Sequence, residues 1–361
     1  MERSHTFSTL DGLRGVAAIA VVAFHYQHLF GSSFLLPHAY LAVDFFCMLS
    51  GFVLTYAYQK RLDNGWSTGS FMKVRLIRLY PLYLSGLLLG LLFRVLGTHF
   101  GKTHLESGRL AEITAAGLTL LPSPVFAVPT EPWSYPLDFP AWTLFFEIIA
   151  NLFHALVLRR RSFGFVGVIL LLTGGVFFYL LHGLGAIDHG INRAESVYAL
   201  ARVLFAYLTG ILLFRFWSWK RSKFKITPLL AVVLLISLLA APVVGRFSLV
   251  YDLSLMLVAF PLLLVTSASS EPSLQLASAF RLLGRISYPL YILHAPLGNF
   301  FAQIVTWSAT HGMRVYPLLQ GTGLVVLACL IALVMDRLYD KPLRDWLHRA
   351  MNATKLSFSQ T

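Results

Sequence analysis

Charged side chains are scarce in this chain. Lys, Arg, Asp and Glu make up 12% of its 361 residues, whereas 57% are hydrophobic and the mean hydropathy is +0.69. Soluble domains carry about a quarter charged residues, so the composition excludes a water-soluble globule. Ten apolar stretches approach the ~20 residues that cross a bilayer as a helix: 13–30, 39–58, 77–96, 141–158, 163–181, 197–216, 227–244, 249–267, 286–307 and 316–338. We predict an all-α, polytopic membrane protein of about ten transmembrane helices.

Acidic residues are fewer still, with 16 Asp and Glu against 29 Lys and Arg and a formal charge of +13. A clustered basic surface would suggest a nucleic-acid partner. Here the basic residues fall in alternate loops instead, at 60–78, 159–161, 220–225 and 281–285. By the positive-inside rule these loops face the cytosol, which places both termini inside and predicts no nucleic-acid partner.

Cysteines and internal repeats are also rare or missing. The two cysteines, Cys47 and Cys329, lie in separate apolar runs, and neither has a Cys or His at metal-ligand spacing, so we predict packing roles. No internal repeat is visible, which weakens a transporter interpretation. We expect one integral membrane domain over 1–361, with a cytosolic tail over 343–361.

The longest segment between predicted spans is 97–140, which the charge pattern places outside the cell. It is rich in proline and aromatic residues, and proline prevents regular helix. A loop of this length is either functional or disordered, and its aromatic residues favour a packed piece. A lid or substrate groove and inert packing both stay open.

Arg14 and His25 lie eleven residues apart in the first apolar stretch. At 100° and 1.5 Å per residue they share one helix face and are separated by roughly 16 Å along the axis. Arg14 alone could be a membrane anchor, and His25 alone a satisfied core histidine. Together they predict one continuous passage with a cationic cytosolic mouth and a deep base. His28 is expected to be a rim residue.

Arg75 and Arg78 form a second basic element. They are one helical turn apart and therefore point the same way. Paired guanidinium groups bind phosphate bidentately, whereas a membrane anchor needs only charge and would accept Lys. The sequence leaves both readings open.

Two carboxylates stand amid apolar residues, where an unpaired charge costs a few kcal/mol. Glu147, five residues after Trp142, could orient His25 or pair with a Tyr or Arg. Asp44 is expected to be a helix-start cap or an interhelical pin. His294 is either a second site residue or a satisfier of freed backbone groups. A metal set of these histidines and Glu147 lacks the close paired spacing, and no metal is predicted.

Five motifs occur in order along the chain: LDGLRGVAA (10–18) leading to His25, VDFFCMLSGF (43–52), RLIRLYP (75–81), WTLFFE (142–147), and LGRISY (283–288) leading to His294. Together they resemble acyltransferase family 3. Cys47, Met48 and Asp340 depart from the residues more usual at those positions in the family, and these departures concern packing.

The resemblance implies a multi-pass enzyme, expected in a bacterial inner membrane. It implies an acyl-CoA donor, often acetyl-CoA, bound from the cytosol and an acceptor hydroxyl on an extracytoplasmic glycan or lipid. The family's functional residues carry over to Arg14 and His25 and to the pair Arg75 and Arg78. His25 would act as a general base or as an acyl carrier.

We add Glu147 as a candidate catalytic residue and Asp44, Trp142 and His294 as candidate substrate-binding residues. Two alternatives to the enzyme stay open. One is a transporter or flippase of an envelope precursor, and the other is a non-catalytic scaffold in a glycan-export complex.

Overall fold

A computed structural model describes residues 7–27, 36–99, 107–124, 132–220, 224–242, 245–312 and 316–358. Within these ranges the chain is mostly helical, and no strand longer than one isolated bridge occurs. The helices are α1 (Ser8–His25), α2 (Ala42–Asp63), α3 (Thr68–His99), α4 (Ser107–Leu118), α5 (Ala141–Phe153), α6 (Phe163–Leu184), α7 (Ser196–Lys220), α8 (Pro228–Ala240), α9 (Ser248–Ser254), α10 (Phe260–Ala268), α11 (Leu274–Thr310), α12 (Pro317–Met335) and α13 (Lys341–Phe358).

Three wider π-helical turns continue the α-helices that precede them. They extend α5, link α9 to α10 and link α12 to α13. Such turns are rare and are usually single insertions into an α-helix. The chain between 141 and 158 and between 248 and 268 therefore runs as continuous helix, in agreement with the apolar stretches read from the sequence.

Seven helical stretches among the described residues are long and apolar enough to cross a membrane. The all-helical membrane class is thereby confirmed. Each of the ten predicted apolar stretches overlaps a helix among the described residues, but α8 is only 13 residues long, and α1 and α11 are not among the seven. The count of ten and the side of the termini stay predictions. The seven are Ala39–Asp63, Thr68–Gly97, Ala141–Leu158, Phe163–Leu184, Arg193–Trp219, Ser248–Ala268 and Pro317–Met351.

The prolines of the segment 97–140 predicted that it contains no regular helix, but part of it is helical. It contains α4, because residues 107–118 carry no proline and the first proline of the segment comes at Pro122. The predicted tail over 343–361 is likewise helical over most of its length, as part of α13.

α1 lies against α11 along most of its length, and this pairing positions the site. Gly15 faces the backbone of Leu283, where a Cβ on the glycine would come within 2.4 Å of the carbonyl oxygen. A Cβ added to Gly284 would likewise come within 2.7 Å of the Cβ atom of Asp11. Only glycine permits such an approach, so the two backbones are locked together at one height.

α2 packs on α7, while α3 and α5 complete a ring of helices with α1 and α11. Two prolines inside α11, Pro289 and Pro296, do not end that helix. Membrane helices tolerate proline where neighbouring groups satisfy the freed carbonyls. The ring encloses two adjacent cavities, which contain nearly all of the candidate residues.

Candidate functional site

The larger cavity lies between α1, α2, α3, α5 and α11 and has a volume of about 170 Å³. This cavity is closest to the end of the helix bundle at which α1 begins. We call that end the basic end, because it carries Arg14, Arg75, Arg78 and Arg285. The first three of these arginines line the cavity, as does Glu147. Asp11 lines it too, so five charged side chains from three distant sequence segments converge on one space.

Arg14 is held by two polar contacts to α11 and one within α1. Its Nε donates to the Ser287 hydroxyl at 2.9 Å and its Nη2 to the Gly284 carbonyl oxygen at 3.0 Å. Its Nη2 also lies 3.0 Å from a carboxylate oxygen of Asp11, one turn earlier on α1. The Arg14 side chain stays 34% exposed, so the guanidinium is fixed in direction but open to a ligand.

Arg75 pairs with Glu147 across the larger cavity. Its Nη2 lies 3.0 Å from Glu147 Oε1, which also accepts a hydrogen bond from the Ser50 hydroxyl at 2.7 Å. The pairing offsets the cost of holding both charges between apolar helices. Glu147 lines the larger cavity and His25 the smaller one. The sequence left two roles open for Glu147, pairing with an arginine and orienting His25. The geometry favours the pairing with an arginine.

Arg78 shares the larger cavity with Arg75 but has a different acidic neighbour. Its Nη1 is 3.7 Å from Asp340 Oδ2, and its guanidinium lies 5.7 Å from the centre of the Tyr288 ring. Arg344 on α13 contacts the same Asp340 oxygen at 2.9 Å. The last helix therefore competes with Arg78 for the aspartate, which leaves the Arg78 guanidinium only loosely held.

The smaller cavity, of about 30 Å³, adjoins the larger one on the side away from the basic end. His25, His294 and Trp142 line it together with Phe139. The imidazole rings of His25 and His294 stack with their centres 5.1 Å apart, and the Phe139 ring packs edge-on against both. Three residues proposed from separate motifs thus meet here.

One wall separates the two cavities, and Val43 and Tyr291 line both. The Tyr291 hydroxyl is 2.8 Å from the Thr143 hydroxyl, so a hydrogen bond between α11 and α5 closes the wall. Arg14 and His25 both contact α11, as a shared helix face requires. The continuous passage between them stays a prediction: Arg14 and His25 line two adjoining cavities, with Tyr291 at their boundary.

Asp44 is a predicted substrate-binding residue, but it lines neither cavity. Its carboxylate accepts two hydrogen bonds from Arg202, from Nε at 2.9 Å and from Nη2 at 2.7 Å, and both side chains are buried. Asp44 is therefore an interhelical pin between α2 and α7, one of its two expected structural roles. At 1% exposure, the Asp44 carboxylate is closed off from solvent.

Arg202 is the residue that sequence reasoning missed. It lines the smaller cavity, and its Nη1 also donates to the carbonyl oxygens of Ile187 and His189 at 2.8 and 2.9 Å. An arginine within an apolar stretch needs a partner or a function, which is the signal that could have found it. Its pairing with Asp44 explains both charges at once.

In the described part of the chain, no group of three or more His, Cys, Asp or Glu residues is arranged to hold a metal ion. His28 lies outside the described residues. Cys47 is buried and lines the larger cavity, and Cys329 is partly buried on α12; both are free thiols.

Comparison with known proteins agrees with the ordered motifs. The family model described as an acyltransferase domain, that of acyltransferase family 3, matches residues 7–337. "Protein 2 in picA locus" of Rhizobium radiobacter is 41% identical over 158 residues, which are 41% of this chain and 81% of that protein. No solved structure matches the chain. The match over nearly the whole length confirms the resemblance: the chain belongs to acyltransferase family 3 and is an acyltransferase of groups other than aminoacyl groups.

Proposed function

We propose that this protein takes an acyl group, in the simplest case acetyl, from acyl-CoA at the cytosolic face and transfers it to a hydroxyl of a glycan or lipid outside. The observation that carries the proposal is the pair of adjoining cavities. One is lined by three arginines and the other by two stacked histidines. In this proposal about ten spans place both termini in the cytosol of a bacterium, with the basic end facing inward.

The larger cavity suits the donor. Coenzyme A carries several phosphate charges at one end and a thin pantetheine arm at the other. Guanidinium groups bind phosphate oxygens bidentately, and Arg14, Arg75 and Arg78 all reach this cavity. Apolar side chains such as Val43, which also borders the smaller cavity, give the arm a dry path toward the histidines.

The smaller cavity suits the transfer. A thioester that passes the Tyr291 wall arrives beside His25, which acts as general base or carries the acyl group briefly. General base catalysis is typically worth about 10²- to 10⁴-fold in rate. The wall opens in this proposal when the Tyr291 side chain turns away from Thr143. Trp142, on the wall of the same cavity, offers an aromatic surface to an acceptor.

Thiol release from acetyl-CoA tests the proposal directly. Purified protein in lipid nanodiscs, supplied with acetyl-CoA and envelope glycans or lipids extracted from the producing cells, is expected to release free thiol and to add 42 Da per acetyl group, about the mass that any O-acetylation adds. Mass spectrometry of the extract identifies the acceptor. If neither thiol nor acetylated product appears with acetyl-CoA or longer acyl-CoA donors, the proposed donor is wrong.

A further inference from the structure

The His294 ring has a defined tautomer. Its Nδ1 lies 2.6 Å from the Tyr291 carbonyl oxygen, one turn earlier on α11. A carbonyl oxygen only accepts, so Nδ1 carries the hydrogen and donates it. In a neutral imidazole the other nitrogen then holds the lone pair. The backbone of α11 therefore makes His294 Nε2 a hydrogen-bond and proton acceptor.

That acceptor has nothing to accept from among the described residues. His294 is 1% exposed, and its Nε2 is buried without a hydrogen-bond partner in this part of the chain. His294 lines the smaller cavity. A buried acceptor without a donor costs free energy, so a group that enters the cavity and supplies a donor is favoured there. A hydroxyl group entering the smaller cavity would supply the missing donor.

The position of the ring is fixed from several sides. The Tyr26 hydroxyl donates to the backbone carbonyl of His294 at 2.8 Å, which ties α11 to the end of α1. Phe139 packs edge-on against the ring and His25 stacks on it. A group held in this way needs no reorganisation before it takes a proton, which is what proton transfer in a site requires.

The surroundings of the ring disfavour a charged His294. The residue is 1% exposed, so a proton there would lack water, and a proton on the stacked His25, 5.1 Å away, would disfavour it further. Two stacked imidazoles do not readily hold two protons at once. The titratable groups Asp188, His189 and Tyr40 complete the cavity wall. The resting pair thus has a free base form available.

We infer that His294 Nε2 is the base that removes the proton from the acceptor hydroxyl, an inference that rests on the proposed function and gives His25 its other proposed role, that of acyl carrier. One His25 nitrogen first forms a bond to the thioester carbonyl carbon, the C–S bond breaks, and the sulfur leaves with its electron pair and takes the proton from the other His25 nitrogen, which gives free thiol. The acceptor O–H bond then breaks and its proton passes to His294 Nε2, while the oxygen forms a bond to the acyl carbon. The C–N bond to His25 breaks, and the proton on Nε2 passes to the freed His25 nitrogen, which gives an ester and two neutral histidines. The Tyr291 carbonyl stabilises the transient imidazolium through Nδ1.

His294→Ala tests this role with acetyl-CoA as donor and the acceptor extract that supports the wild-type protein. We expect kcat to fall about 10²- to 10⁴-fold, as loss of a general base does. The KM for acetyl-CoA stays within about threefold, because the donor arginines line the other cavity. Added imidazole restores part of the rate, and more at a pH where imidazole is unprotonated. A residue that merely packs would not be replaced by a free base.

His311→Ala is the matched control. His311 is on the same helix and makes the same kind of bond, from Nδ1 to the Trp307 carbonyl oxygen at 2.9 Å, but it is exposed and lines neither cavity. Its variant keeps the wild-type rate. His294→Gln, which keeps polar bulk but takes no proton, guards against a folding defect and is expected to lose the same rate with an unchanged melting temperature.

The outcomes separate the two proposals. Wild-type protein that releases no thiol contradicts the proposed function itself. An active wild type with a His294→Gln rate within threefold of it overturns only the role of His294. A folded His294→Ala variant that has lost activity and does not respond to imidazole also overturns it, since the loss is then structural. Rescue by the free base supports it.

Discussion

The two cavities differ in how their polar groups are satisfied. In the larger one, each arginine has an acidic neighbour: Asp11 for Arg14, Glu147 for Arg75 and Asp340 for Arg78. In the smaller one, the His294 Nε2 acceptor is buried without a partner in the described chain, whereas the unpartnered nitrogen in the larger one is a donor, Arg75 Nε. Paired charges suit a site that exchanges partners when an anionic ligand enters, whereas an open nitrogen suits a site where a proton moves. This difference suits the larger cavity to binding an anionic donor and the smaller cavity to the transfer reaction.

His25→Ala is the strongest way to break this comparison. We expect loss of acyl transfer by about 10²-fold or more, with acetyl-CoA binding unchanged, because His25 lines only the smaller cavity. Thiol release and equilibrium binding of acetyl-CoA measure the two quantities separately. His182→Ala, at an exposed position on α6, is the control. A purified His25→Ala protein that still turns over would refute the assignment.

Asp44→Ala is expected to affect stability rather than chemistry. Removing one member of a buried ion pair costs about 3–5 kcal/mol, because Arg202 keeps an unpaired charge beside the smaller cavity. Thermal unfolding in detergent should show a large fall in melting temperature. The double variant Asp44→Leu with Arg202→Leu should recover most of it. Equal melting temperatures for the wild type and Asp44→Ala would mean that the pin is not structural.

Arg75→Lys tests the larger cavity. Lysine keeps the charge but cannot contact a phosphate in two places, so the KM for acetyl-CoA should rise about tenfold while kcat changes little; a charged hydrogen bond is worth about 1.5–3 kcal/mol. Acetyl-pantetheine, which lacks the nucleotide, should show no such difference. Arg285→Lys serves as control, since Arg285 pairs with Asp336 outside the cavity. Unchanged donor affinity in Arg75→Lys would favour a membrane anchor.

Tyr291→Phe should give the smallest effect and sharpens the boundary. It removes the hydrogen bond to Thr143 that closes the wall, at a cost near 1 kcal/mol, and keeps the ring. If opening of the wall limits turnover, kcat rises by about two- to fivefold. Tyr339→Phe, whose hydroxyl donates to the Pro81 carbonyl oxygen elsewhere, is the matched control. A large loss of activity would instead place the Tyr291 hydroxyl in the chemistry.

Local periodicity was enough to predict what lies on one helix. Arg14 and His25 both contact α11, and Arg75 and Arg78 reach the same cavity, because residues at those spacings share a helix face. The helical class and the family followed from apolar runs and ordered motifs. These features depend on short stretches of chain, which a sequence displays directly.

What lies between helices was harder to predict. The partner of Glu147, the pairing of Asp44 with Arg202 and the wall at Tyr291 depend on how far each helix is turned toward its neighbours. Those rotations are set by close backbone contacts that leave only scattered small residues in the sequence. The helix α4 was missed because a proline-rich second half was taken to describe the whole segment.

The locking of α1 onto α11 through Gly15 and Gly284 has a further consequence. This pair of helices carries the Arg14–Ser287 hydrogen bond at one end and the stacked His25 and His294 rings further along. The spacing of these residues along the two helices therefore sets how far the arm of an acyl carrier must extend from the arginine before its thioester reaches the imidazole rings. Donors with a shorter arm would stop before the histidines however tightly their charged ends were bound.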